Sequence, residues 1–257
     1  MRSRVAAALG LNHRPVAGMF AMTMSVTLGL GLLYLTHSFL GVPDWKGFRF
    51  GKDRAVPEMI GYVFTAWASG LALYLAATQR QAVLAAWSAV FAVLLADDYF
   101  MLHERMGTVI HGTFGLPHPY GQPLGEIGWF GMVGIVLLTA LAIGHRFATP
   151  VWRATSRVLT LLLGLLVLCG VVIDALHMLV AHVEPWNVLV TALEDGGELV
   201  VLAVVLTFLY GLAFCDHRPT PETLTLVRRR RPHAGAARTA GRGRADLTPS
   251  GTGPPRR

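Results

Sequence analysis

Long apolar segments alternate with short polar segments along the first 214 residues of the chain. At a rise of 1.5 Å per residue, a helix of about 20 apolar residues crosses the roughly 30 Å hydrocarbon core of a bilayer. Six segments reach that length, at about 15–36, 59–78, 82–102, 124–143, 158–180 and 189–214. Residues 107–123, rich in glycine, proline and histidine, are typical of a loop. The pattern predicts an all-α, polytopic membrane protein with six transmembrane helices.

The composition also indicates a membrane protein. Hydrophobic residues make up 53% of the chain and charged residues only 14%, a balance too apolar for an ordinary soluble domain. We therefore expect a multi-pass protein of the cell membrane, with the lipid bilayer as its first partner. The two cysteines, Cys169 and Cys215, lie within or at the end of apolar segments, so they do not suggest a disulfide framework.

The distribution of charge predicts the orientation of the helices. Six spans place both termini on the same side of the membrane, and most of the 22 Lys and Arg residues lie on that side. By the positive-inside rule, both termini are cytoplasmic. Most of the 15 Asp and Glu residues then lie on the outer side.

Three regions follow from these patterns. Residues 1–14 are predicted to be a cytoplasmic N-terminal segment, residues 15–214 the six-helix transmembrane domain, and residues 215–257 a basic cytoplasmic tail. The tail is rich in Pro, Gly and Arg, a composition typical of disorder. Its polybasic cluster suits anionic inner-leaflet lipid better than nucleic acid. The cluster consists of Arg228, Arg229, Arg230 and Arg231.

Acidic side chains accumulate near the outer ends of three predicted helices. Asp97 and Asp98 lie near the end of the third, where each charge costs roughly 2.5–3.5 kcal/mol to insert unless it finds a partner, a proton or a metal. Asp174 lies at a similar depth in the fifth helix. Glu194 is expected to open the sixth helix, with Glu198 one turn deeper. The spacing therefore predicts one layer of carboxylates drawn from three helices.

Histidines near these carboxylates suggest a divalent metal site. Asp174 and His177 are three residues apart and share one helix face, so both could bind one ion. Mixed carboxylate and imidazole ligands suit Zn, Fe or Mn. On a continuous helix His103 faces away from Asp97, and Asp98 lines up with Arg105 as an alternative ion pair. The candidate metal ligands are Asp97, Asp98, His103, Asp174, His177, Glu194 and Glu198.

Three classes of function are compatible with this pattern. In a metal-dependent enzyme acting at the outer leaflet, Glu104 or Asp195 would be the general base for a water molecule or an oxidant activated by the metal. A cation or proton transporter would need polar groups across the whole bilayer, whereas residues 82–96, 158–173 and 199–214 contain no charge. A non-catalytic scaffold or sensor with a structural acidic cluster is the third class.

Overall fold

The computed structural model of the chain describes residues 6–42, 46–52, 54–118, 120–173, 177 and 183–215. These belong to one unit, Met1–Leu224, and in these ranges the chain is helical and contains no strand. Asp174, the predicted tail beyond Cys215 and its polybasic cluster lie outside the described residues.

Among the described residues, seven α-helices of 13 residues or more form the framework. Six of them are long and apolar enough to cross a membrane, with α6 counted together with the π-helical segment Leu168–Ile173 that continues it. The exception is α4, which has 13 residues. In chain order the helices are α1 (Arg14–Leu40), α2 (Val56–Gln79), α3 (Ala82–Phe100), α4 (Leu102–Phe114), α5 (Gly121–Phe147), α6 (Pro150–Val167) and α7 (Trp186–Phe214). The prediction of six long apolar helices is confirmed.

Local chemistry explains several helix ends. A proline lies in the first turn of α1, α2 and α6, where its missing N–H leaves no hydrogen bond unmade. At the other end of α1, Gly41 has φ 68° and donates its N–H to the carbonyl oxygen of His37. A left-handed glycine of this kind commonly ends a helix because it has no Cβ.

Helix α7 lies at the centre of the core. Of its most apolar 18-residue window 61% is buried, more than in any of the other five long helices. It packs against α1, α2 and α6, and α3 packs against α2 and α5. The fully buried side chains of Trp87, Phe91 and Phe208 occupy this core. The indole N–H of Trp87 donates to Ser156 Oγ at 3.0 Å, which satisfies a buried polar group.

The pair formed by α4 and α5 was not anticipated. Residues 107–123 were predicted to be a loop because they are rich in glycine, proline and histidine. This prediction is wrong for residues 107–114 and 121–123, since α4 continues through Phe114 and α5 begins at Gly121. Gly107 and Gly125 face each other, and a Cβ on Gly125 would overlap the carbonyl oxygen of Gly107. Gly107 does not end α4. Together with Gly125 it allows the backbones of α4 and α5 to approach closely.

Met101 interrupts the helix that was predicted to run through residue 102. Its φ of 52° and ψ of 45° lie in the left-handed region, which is unusual for a residue other than glycine. Its N–H caps α3 by donating to the carbonyl oxygens of Asp97 and Asp98. The chain changes direction here, and α4 begins at Leu102.

Candidate metal centre

Three potential metal ligands converge around this interruption. One oxygen from each of Asp97 and Asp98 and one ring nitrogen of His103 lie within 4.8 Å of one another. Asp97 is buried, with 5% of its surface exposed, whereas Asp98 is exposed and His103 is half-buried. The cluster is therefore buried at Asp97 and exposed to the surface at Asp98.

The left-handed conformation of Met101 accounts for the position of His103. On a continuous helix, two residues six apart differ by about 240° around the axis and cannot meet. In the structure the Nδ1 atom of His103 lies 2.8 Å from the Oδ2 atom of Asp97. His103 was expected to face away from Asp97 only on a continuous helix. The helix ends at Phe100, so this condition is not met and the two side chains make contact.

Two residues of α5 complete the surroundings of Asp97 and His103. The indole N–H of Trp129 donates to Oδ1 of Asp97 at 2.8 Å, so both oxygens of this carboxylate are held. The ring of Phe130 stacks on the imidazole of His103, with centroids 5.3 Å apart. Sequence reasoning missed Trp129, since an indole near the end of an apolar helix is equally typical of a membrane-interface aromatic.

Glu104 lies beside the cluster. Its Oε1 atom is 4.0 Å from Nε2 of His103, and its side chain is about half-exposed. The backbone carbonyl of Glu104 accepts a hydrogen bond from Gln122 Nε2, which also donates to Oε1 of Glu126. These bonds fix the start of α4 against α5 and place one further carboxylate next to the imidazole.

The expected pairing of Asp98 with Arg105 is not formed. Within the part of the chain that the structure describes, each ion pair at 4.0 Å or less involves His103 or His177. The interruption at Met101 removes the alignment that a continuous helix would give these two residues. Asp98 is therefore left next to Asp97 and His103.

The electrostatics of the cluster favour protonated His103. The hydrogen bond that His103 donates to Asp97 raises the pKa of His103 above 6.5. The charges of Asp97, Asp98 and Glu104 act in the same direction, whereas partial burial opposes them. A metal that binds through Nδ1 must displace this proton. Metal binding and protonation of His103 therefore compete.

His177 and Glu194 form a second, separate cluster. Nδ1 of His177 lies 2.9 Å from Oε2 of Glu194, and its Nε2 lies 2.7 Å from Oδ1 of Asn187 and 3.4 Å from Oγ1 of Thr191. Glu194 does not open the last helix as expected, because α7 begins at Trp186, two turns earlier.

The remaining acidic candidates have other neighbours. The carboxylate of Asp195 accepts a hydrogen bond from the backbone N–H of Gly51. The carboxylate of Glu198 packs against Gly170 in the π-helical segment, where a Cβ would overlap Oε1. Among the described residues, the group around Asp97 includes none of the predicted ligands from α7. The sequence thus predicted one layer of carboxylates. In the structure, the described candidates from α7 have different contacts from those of the Asp97 group.

The donor set around Asp97 is chemically suited to a divalent ion. Two ligand atoms at about 2.0–2.1 Å from one ion are about 2.9 Å apart at an octahedral right angle and about 3.4 Å apart at the tetrahedral angle of zinc. The Asp97 and His103 atoms are 2.8 Å apart, a hydrogen-bond distance close to the first of these values. Two carboxylates and one imidazole suit Zn, Fe or Mn.

Comparison with known proteins gives a family without an assigned function. No curated protein and no solved structure matches the chain. One family model, described as Domain of unknown function (DUF8692), matches residues 5–212, from before α1 to the last turn of α7. Because this match covers most of the sequence, the chain belongs to the family described as Domain of unknown function (DUF8692).

Proposed function

We propose that this is a multi-pass protein of the cell membrane that binds one divalent metal ion through Asp97, Asp98 and His103. The observation that carries the proposal is the convergence of these three side chains at the Met101 interruption, with ligand atoms within 4.8 Å. Zn, Fe and Mn are the ions that this donor set suits. In the proposed orientation, with both termini cytoplasmic, the site faces the outer leaflet.

The surface of the helices supports the membrane assignment. Large apolar side chains point outward along their middles, including Leu28 at 65%, Ile135 at 69% and Leu161 at 72% exposure. An apolar surface that extends over several long helices favours lipid contact over water. The cytoplasmic side follows from the arginine-rich segments of the sequence.

A metal-dependent reaction is the activity that this site could perform. A bound divalent ion supplies Lewis-acid chemistry, polarising a substrate oxygen or activating water. We assign the role of general base to Glu104, because its carboxylate lies 4.0 Å from Nε2 of His103 and is accessible. Asp195, the other candidate base, is bound to the N–H of Gly51 in a different part of the molecule.

A structural role for the same cluster is the competing proposal. Asp97 accepts hydrogen bonds on both oxygens, from Trp129 and His103, so it joins α3, α4 and α5 even without metal. Transport of cations or protons is less favoured, since residues 82–96 of α3 contain no charged relay below the cluster.

Metal analysis separates binding from a structural role. We expect purified wild-type protein in detergent to contain near-stoichiometric transition metal, and Asp97→Asn and His103→Ala to lose most of it. Asp195→Asn is the matched control, because it removes an acidic charge that contacts Gly51 instead of the cluster. Well-folded wild type that takes up no Zn, Fe(II) or Mn would support the structural role. Equal metal loss in the control variant would show that the effect is general.

A further inference from the structure

A second site lies away from the Asp97 cluster, in a cavity of about 1000 Å³ at the end of α1 and the start of α7. Its walls come from α1, from residues 49–52, from His177 and from residues 184–191 at and before the start of α7. None of the three proposed metal ligands lines it. We propose that this cavity binds a phosphate-bearing ligand.

The charge of the cavity favours an anion. Arg49 and Lys52 both line it and are both exposed. Within the described ranges, neither forms a salt bridge with a carboxylate. Glu184 is the one acidic residue among the described lining residues, and its Oε1 atom accepts a hydrogen bond from Asn187 Nδ2 at 3.1 Å. Two cations thus line the cavity against one carboxylate. Two further carboxylates lie behind the wall, where Asp195 accepts a hydrogen bond from Gly51 and Glu194 pairs with His177.

The segment that carries the two cations is held in place from both sides. Nε of Arg49 donates to Nε2 of His37 on α1 at 3.2 Å, which leaves the terminal nitrogens of the guanidinium for a ligand. The ring of buried Phe50 packs against Tyr34, with centroids 4.9 Å apart. The N–H of Gly51 donates to Asp195 on α7. Three successive residues are therefore fixed, so a ligand would not have to order this segment on binding.

Tyr34, Ser38 and Thr191 line the cavity beside the cations, but their hydroxyl groups already take part in hydrogen bonds within the wall. Arg49 and Lys52 are therefore the groups that the cavity offers to phosphate oxygens. An arginine fork with a nearby lysine is a common way to bind phosphate, since the guanidinium can donate two parallel hydrogen bonds. A volume near 1000 Å³ leaves room for an organic part beside one phosphate group.

Two sources could present this chemistry, a phospholipid headgroup and a soluble phosphate ester. The experiment uses full-length protein in dodecyl maltoside, a detergent that carries no phosphate. One arm titrates glycerol 1-phosphate by calorimetry. The other adds mixed micelles of phosphatidylglycerol and phosphatidylcholine and compares the capture of the two lipids, measured by mass spectrometry of co-purified lipid. Saturable binding in the first arm assigns a soluble ligand, and selective enrichment in the second assigns a headgroup.

Charge-neutralising variants test the site itself. Arg49→Gln and Lys52→Gln are each expected to weaken binding about tenfold, the effect of losing one charge-assisted hydrogen bond. Arg54→Gln is the matched control, since Arg54 belongs to the same connection but does not line the cavity, and its binding should stay within about twofold. Circular dichroism and metal content, which the cavity does not govern, report folding. Binding in neither arm, or equal losses in the Arg54 variant, would overturn the proposal.

Discussion

Nδ1 of His103 lies 2.8 Å from Oδ2 of Asp97, although the two residues are six positions apart in sequence. Their contact depends on Met101, whose left-handed conformation ends α3 and begins α4. Such a conformation costs an L-residue roughly 1–2 kcal/mol, so neighbouring interactions must stabilise it. Strained backbone of this type is often found at functional sites. The geometry of the cluster therefore depends on the backbone conformation of Met101.

Substitution at Met101 should separate backbone conformation from side-chain chemistry. Met101→Gly is expected to retain metal binding and to unfold at an equal or higher temperature, because glycine adopts a positive φ without strain. Met101→Ile should lose metal affinity and thermal stability, since a β-branched residue disfavours this conformation. Thermal unfolding and metal titration in detergent measure both effects. Equal metal affinity in the two variants would show that the interruption does not control the site.

Trp129 is expected to position Asp97 rather than to bind metal. Its N–H holds Oδ1 of Asp97, and loss of such an outer hydrogen bond typically lowers metal affinity by 10–100-fold. Trp129→Phe should therefore weaken metal binding by roughly that factor while the stoichiometry at saturation stays the same. Trp186→Phe, on an exposed residue at the start of α7, is the control and should have no effect. An unchanged affinity in Trp129→Phe would remove this residue from the site.

The raised pKa of His103 predicts opposite pH trends for stability and for metal affinity. Without metal, the folded protein binds this proton more tightly than the unfolded chain, whose histidine has a pKa near 6.5. The resulting stabilisation is fully present below about pH 6.5 and is lost as the pH rises through the folded pKa. Metal affinity should instead increase over the same range, because the metal displaces the proton.

Thermal unfolding of metal-free protein at several pH values, with and without added zinc, measures both trends. Asp97→Asn removes the main cause of the shift in the pKa of His103, so the stability of this variant should depend less on pH. Parallel trends with and without zinc would contradict the proposed competition between proton and metal.

The sequence was sufficient for the long helices and insufficient for the site. Apolar length alone identifies the six long helices, because burial in lipid or in a protein core requires apolar side chains along a helix of that length. The interruption at Met101 carries no such signal, as methionine is a good helix former. Gly107 gave a misleading signal: it suggested a loop, whereas glycine is also common where two helices pack closely, as they do here. Contacts between helices, such as the hydrogen bond from Trp129 to Asp97, depend on how the helices pack. A pattern within one segment of the sequence does not predict that packing.

The close contact of α4 with α5 predicts a sharp difference between two glycines of α5. Gly125→Ala should lower the free energy of unfolding by roughly 1–3 kcal/mol, because its Cβ would overlap the Gly107 backbone, which cannot move aside easily. Gly131→Ala, which meets no atom within 4 Å, should be neutral or stabilising. Denaturation of the two variants in the same detergent tests this. A neutral Gly125→Ala would contradict the described packing.

Cysteine labelling tests the proposed orientation of the site. Thr113 is exposed near the end of α4, and Arg80 is exposed in the turn before α3, so the length of α3 separates them along the chain. In a Cys215→Ser background, Thr113→Cys should react in intact cells with a membrane-impermeant maleimide. Arg80→Cys should react only after permeabilisation, because the arginine distribution predicts that this turn is cytoplasmic.

Cys169 is buried and should contribute little background labelling. The reverse labelling pattern would invert the topology and move the metal site to the inner leaflet, whereas labelling of both positions in intact cells would argue that α3 does not span the membrane.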